Sequence, residues 1–303
     1  MSYYPNPALI GNDIYGSGQD GAAVFDGVNV FPFATLLAGV YTLTRNIHIG
    51  DGSSIEAGIT VAEAGFQPRC NGKLVIRAGG ILQCNGKDAA LGVGGGSSAL
   101  GTLGIGVAGG NGRANNTGLP GTAVPASNTL QDASAAGGAG GAGGVNAGGA
   151  GGIYSGAAVN GGANSLTSSM TGFLFNSSSG GNQATIAIVG GGAGGGGGGS
   201  DNAGVLGGGG GGGGGVLFLN ALHLVNLGTI QALGGRGAAA SGAGGNGGGG
   251  GGGAGGVLLI LRRFYYDGGT GLVLATGGAG GAPIGAGVAG APGNVGHVNA
   301  FPA

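Results

Sequence analysis

The chain has no tryptophan, two cysteines, three histidines and, in 303 residues, only nine basic and ten acidic side chains, for a net charge of −1. Each shortage removes a class of function. There is no basic field to hold a nucleic-acid backbone or an anionic membrane surface. His48, His223 and His297 are far apart in sequence, so neither a metal centre nor a bound cofactor is expected. Nine prolines and irregularly spaced glycines exclude a collagen repeat. No long hydrophobic run is present either: the most apolar stretch, Val216 to Leu233, contains Asn220, His223, Asn226 and Gln231, too many polar groups for a bilayer span. Met1 to Pro7 has neither the basic nor the apolar part of a secretory signal. Release by host-cell lysis or assembly into a particle would place such a chain outside a cell.

What the chain has in excess is glycine, 89 residues, about four times the usual share. Its distribution splits the sequence near Asp88. Residues 1–88 hold twelve of the nineteen charges; the remaining 215 hold seven. The first part reads as a set of short strands: Tyr41 to Thr44, Ile47 to Ile49, Ser54-Ile55, Gly58 to Val61, Lys73 to Ile76 and Gly80 to Gln83. Apolar residues alternate with polar ones, and Gly, Asn and Asp punctuate the runs. No window has a helical period. The expected fold is all-β, a short-stranded β-solenoid. Cys70-Asn71-Gly72-Lys73 recurs as Cys84-Asn85-Gly86-Lys87, and both copies read as solenoid corners, although a hairpin uses the same Asn-Gly dipeptide. The two cysteines read as buried small hydrophobes.

Residues 89–303 form the second part, a glycine-rich region interleaved with apolar strands. Six glycines run at 194–199, nine at 207–215 and seven at 247–253. Val216 to Leu219 followed by Thr229 to Leu233 returns as Val257 to Ile260 followed by Leu272 to Ala275, and Ala184 to Val189 is a weaker copy. A glycine run is by default a flexible linker, because it loses the most backbone entropy on ordering and buries no side chain. The alternative is a bundle of polyglycine-II helices, three residues per turn, whose bare backbones approach closely and pair their amides with carbonyls of neighbouring strands. Apolar strands would pin each excursion at both ends. The longest runs should then lie inside the bundle. The interrupting Ala139, Ala142, Ala147, Ala150, Ala193, Ala243 and Ala254 should lie at its surface.

Leu43-Thr44-Arg45, Gly58 to Val61, Ala64-Gly65-Phe66, Gly72 to Ile76 and Gly80 to Gly86, with the alternation of glycine runs and apolar strands over 189–281, resemble the Gly-rich β-helix and polyglycine-II virion proteins of tailed bacteriophages. The pattern is similar to that of tail-fibre tip adhesins. The resemblance implies a non-enzymatic structural protein on the virion exterior, whose partners are other virion subunits and a bacterial surface receptor, a saccharide or an outer-membrane protein. A capsid or tail decoration protein and a carbohydrate-active β-helix enzyme are the alternatives.

No catalytic motif is assignable from spacing. Gly80 to Lys87 has five residues between its glycines and Asp88 where a P-loop needs Ser or Thr. Asp201 and Asp267 are isolated, unlike the carboxylates of a calcium site. Asp51, Glu56 and Glu63 read as solvated corner residues, and Arg262-Arg263 as either a solvated edge or a grip for phosphate or an acidic sugar. Receptor specificity is expected in the less glycine-rich islands, with Asn115, Asn116, Asn128, Tyr154, Phe173, Phe175, Asp201 and Asn202 as candidates; Phe173 to Phe175 reads equally as a buried strand. Amide and aromatic side chains suit saccharide faces and protein loops. Tyr3, Tyr4, Pro5 and Pro7, in a proline-stiffened start, are candidates for attachment to a partner subunit. Near-neutral charge and smooth glycine faces also permit homo-oligomers.

Overall fold

In a computed structural model the described residues are 14–96, 107–122, 137–151, 192–266 and 270–302. The protein is all-β, and its short apolar runs become strands of two sheets. One sheet has β1 (Val24–Phe25), β4 (Ile47–Ile49), β5 (Ser53–Ile55), β7 (Pro68–Ile76), β10 (Val216–Asn226), β13 (Val257–Tyr266) and β15 (His297–Pro302). Its order is β1-β5-β7-β10-β13-β15, with β4 also paired to β7. The other has β2 (Ala34–Leu37), β3 (Val40–Leu43), β6 (Thr60–Ala62), β8 (Ile81–Gln83), β11 (Thr229–Gln231) and β14 (Leu272–Leu274), in the order β14-β11-β8-β6-β3-β2. All pairs in these sheets are parallel except β2 with β3. The repeat seen in the sequence is the pairing itself: Val216 lies beside Val257 and Thr229 beside Leu272.

Inward-facing residues of both sheets make one apolar core. Leu43, Val61, Leu82 and Ile230 from one sheet meet Ile49, Ile55, Leu74, Leu217, Leu219, Leu258 and Ile260 from the other. Each such side chain stabilises the fold by about 2 kcal/mol. The β1–β3 end of the core is plugged by rings: Phe31 stacks on Phe33 at 5.0 Å, and Phe25 packs edge-on to Tyr41 at 5.1 Å. The Tyr41 hydroxyl donates to the Asn29 carbonyl at 2.7 Å and accepts from the Gly27 amide at 3.1 Å.

The two Asn-Gly tetrapeptides are not corners. Cys70 to Lys73 lies within β7, where pairing shifts by one residue against β10. Gly72 has no side chain to obstruct Asp51, whose carboxylate accepts from the Lys73 amide at 2.6 Å. Cys84 to Lys87 instead leads from β8 into the glycine region, and a Cβ at Gly86 would land on the Gly212 carbonyl. Both cysteines are buried in the core as thiols outside any disulfide, and burial pushes Cys70 up to about 11.

Glycine segments pack side by side in a regular array. Along 207–215, successive amides point to different neighbours and every third residue returns to the same one. Gly207, Gly210 and Gly213 donate to Arg113, Gly110 and Val107; Gly208, Gly211 and Gly214 donate to Gly248, Gly251 and Ala254; Gly212 and Gly215 donate to Lys87 and Cys84. Carbonyls of the same segment accept from Gly192, Gly195 and Gly198, from Gly235 and Ala238, and from Gly95. One strand therefore has neighbours on all sides, six in number, joined by bonds of 2.7–3.2 Å. Segments 192–199 and 247–256 are surrounded in the same way. The three longest glycine runs are thus interior, as expected.

Alanine placement follows the expectation only in part. Ala139, Ala147, Ala150 and Ala243 are exposed and Ala142 is half-buried, but Ala193 and Ala254 are fully buried. These two lie side by side, the Ala254 amide donating to the Ala193 carbonyl at 2.8 Å. They sit level with Gly214, where the array meets the start of β10.

Glu63 also departs from its sequence reading. It is fully buried beside the core, and neither carboxyl oxygen has a hydrogen-bond partner. Burial holds its pKa well above the usual glutamate range; the approach of the Phe218 amide offsets this only in part. An unfolded chain loses this proton above about pH 4.5, whereas the folded one keeps it. The stability associated with the protonated form is therefore complete below that value and declines as pH rises toward the folded pKa. Glu63→Gln should leave the melting temperature unchanged near pH 4 and raise it near pH 8. Parallel shifts at both values would show that Glu63 does not titrate differently on folding.

Candidate functional site: the turns at the end of the glycine array

The path of the chain puts its turns at one end. After β11, residues 232–240 run out, turn at 241–246 and return through 247–256 to β13. Residues 275–283 leave β14, turn at 284–286 and return to β15. Nine extended residues reach about 28 Å, so these turns stand well away from the sheets. The turns at 90–93, 114–116, 143–146 and 200–206 lie beside them.

Side chains of Ser, Asn and Asp tie this end together. Ser200 is buried at the centre: its hydroxyl accepts from the Asn115 amide at 2.7 Å and donates to the Val205 carbonyl at 2.6 Å, while its carbonyl accepts from Asn146 Nδ2 at 2.6 Å. Asp201 accepts from the Asn246 amide and Nδ2, both at 2.8 Å, and these bonds, the backbone one foremost, hold its carboxyl below the usual range. Asn246 Oδ1 accepts from the Ala286 amide at 2.6 Å. Asn202 Nδ2 donates to the Gly244 carbonyl at 3.0 Å, and its Oδ1 accepts from the Gly204 amide at 2.8 Å. The short strands β9 (Val205–Leu206) and β12 (Ser241–Gly242) pair antiparallel beside them. Asn115 adopts φ 47°, a left-handed conformation that Asn tolerates better than most residues.

The structure therefore brings together Asn115, Asn116, Asp201 and Asn202, four of the sequence candidates, on adjoining turns. Asn115, Asn116 and Asn202 are exposed, and Val145 beside them is 92% exposed. Asn128, Tyr154, Phe173, Phe175, Tyr3, Tyr4, Pro5 and Pro7 lie outside the described residues, as does the 184–189 copy. Ser200, Asn146 and Asn246 were not singled out from sequence. The signal available for Asn246 was a polar residue interrupting a glycine run, Gly245-Asn246-Gly247.

Chemically this end offers amides, hydroxyls and one carboxylate already committed to its own turns. Among the described residues no group of three or more His, Cys, Asp or Glu is placed to hold a metal ion. His48, His223 and His297 lie on strands of one sheet, far from Ser200. No helix among the described residues is long and apolar enough to cross a membrane. No protein-family model matches the chain, and no curated protein and no solved structure matches it.

Proposed function

We propose that the chain is a structural protein on the exterior of a tailed bacteriophage, most specifically a tail or tail-fibre adhesin. In this reading a β-solenoid carries a polyglycine-II bundle, and the bundle is a stiff platform presenting its turns to a receptor on the bacterial surface. One observation carries the proposal. Turns rich in Asn are locked to each other at the end of an array whose interior strands are hydrogen-bonded on every side. A rigid, amide-bearing tip suits recognition of a saccharide or an outer-membrane protein loop, because little ordering entropy remains to be lost on binding. The parallel pairings and the three-residue repeat support the solenoid and polyglycine-II descriptions.

The test is competition. Purified protein added to host cells should bind them and reduce adsorption of the parent phage, and Asn115→Ala with Asn116→Ala should weaken both effects. Binding to particles in many copies with adsorption unchanged would replace the adhesin with a decoration protein. Shortening of a capsular polysaccharide, abolished by neutralising a carboxylate, would replace it with an enzyme.

A further inference from the structure

The last circuit of the chain differs from those before it. It consists of β14, the outgoing segment 275–283, the turn at 284–286, the returning segment 287–296 and β15. The Gly296 amide donates to the Ala275 carbonyl at 2.6 Å, which sets the start of β15 level with the end of β14. In the returning segment a Cβ at Gly287, Gly290, Gly293 or Gly296 would land on the backbone of Gly247, Gly250, Gly253 or Gly256. Bare backbone thus faces inward. The residues between, Val288, Ala289, Ala291, Pro292, Asn294 and Val295, are all exposed. Their side chains hold any outer neighbour beyond the close spacing that glycine allows, so the array ends here.

The core ends here too, and it ends uncovered. Val298 stands beside Leu258 and Ala300 beside Ile260. Leu258 and Ile260 belong to the buried core, yet Val298 is 42% exposed and Ala300 is also exposed. β14 and β15 are the last strands of their sheets, and among the described residues nothing pairs with their outer edges. Such edges are commonly shielded by charged side chains, but residues 268–303 contain no Asp, Glu, Lys or Arg. At the opposite end Phe25, Phe33 and Tyr41 close the core. Val28, Val30 and Leu37 are exposed there, with Asp26 beside them accepting from the Val28 and Asn29 amides.

We propose that the flank formed by the last circuit is the interface for a second copy of the chain, the same face meeting itself about a two-fold axis. Charge and size select that occupant. The flank is aliphatic and chargeless, so two copies meet without like-charge repulsion, and nothing on it would hold a charged partner. Segment 287–296, at about 3.1 Å per residue, and the six residues of β15, at about 3.3 Å, form a strip about 50 Å long. Its width, two glycine strands or two sheets, is about 10 Å. Both copies together would bury about 1,000 Å², the lower bound for a specific pair. Closure would cover Val298 and Ala300 as the inner strands cover Leu258 and Ile260. The interface stands whether or not the turns at the end of the array recognise a host.

The test is sedimentation equilibrium of the full chain between about 1 µM and about 1 mM. The average mass should rise from that of one chain toward that of two and stop there. Val288→Asp with Val295→Asp would set four carboxylates against one another in the pair, and should weaken association at least about tenfold. Melting in dilute solution should be unchanged. Ala279→Glu, at an exposed position of the outgoing segment, should weaken association likewise and serves if the double variant does not fold. Val145→Asp, on a turn at the far end of the array, should have no effect. A single chain at every concentration, growth beyond two copies, or a pair unaffected by folded variants of the flank would each overturn the proposal. So would a pair dissolved by Val145→Asp.

Discussion

Gly211→Val is expected to abolish soluble folded protein. Gly211 lies in the strand surrounded on all sides, its amide donating to Gly251 and its carbonyl accepting from Gly195. A Cβ there would land on the Gly235 carbonyl oxygen, and valine adds two further carbons. The obstacle is backbone, which cannot swing away as a side chain can. Separating the strands to make room would break bonds on two or more sides, each worth about 1 kcal/mol net and more when a buried amide is left unpaired. Overpacking of this kind belongs to the largest class of single-residue effects, beyond about 4 kcal/mol, against a total stability of about 5–15 kcal/mol. Ala139→Val, at an exposed position of the array, should stay within about 0.5 kcal/mol. Soluble yield and thermal melting measure both. A Gly211→Val protein that melts like the parent would mean that the strand is not enclosed.

The second large effect concerns how the array is held. Leu219 is fully buried in the core shared by the two sheets, and its strand follows directly from the 207–215 run. Leu219→Ala should destabilise the protein by about 2–5 kcal/mol. If glycine strands persist only because apolar strands pin their ends, amides of Gly210, Gly211 and Gly214 should lose protection by the same factor as those of β10. That is about 30-fold at the low end of the range. Hydrogen exchange read residue by residue decides the matter. Faster exchange in the sheets with the glycine amides unchanged would make the array independently stable, and the pinning account would fail.

Much of this arrangement was legible in the sequence for simple reasons. The apolar repeat was visible because parallel strands of like composition pair in register, so Val216 beside Val257 is both a sequence repeat and a contact. Enclosure of the longest glycine runs followed from backbone sterics alone, since no other residue admits neighbours on every side. The errors have physical causes too. Asn71-Gly72 has turn chemistry, but its glycine serves the approach of Asp51 to a strand irregularity. Glu63 carries a charge in solution, and nothing local announces that it is buried as the neutral acid. Asn146 and Asn246 act through partners more than forty positions away, Ser200 and Asp201, a relation that only the folding of the turns creates.

A consequence follows from the threefold repeat of the glycine strands. If one of them slips by three residues along its axis, each amide again faces an equivalent carbonyl, and no side chain records the difference. The array is therefore degenerate in its own alignment. What removes the degeneracy is the succession of unlike residues along the ladder at its base, where Phe218 lies against Leu259, Asn220 against Leu261 and Val257 against His297. Assembly should accordingly begin there, with each hairpin of glycine zipping outward from strands already in place. A chain whose base rows were interchangeable would collect misaligned species that no later contact could correct.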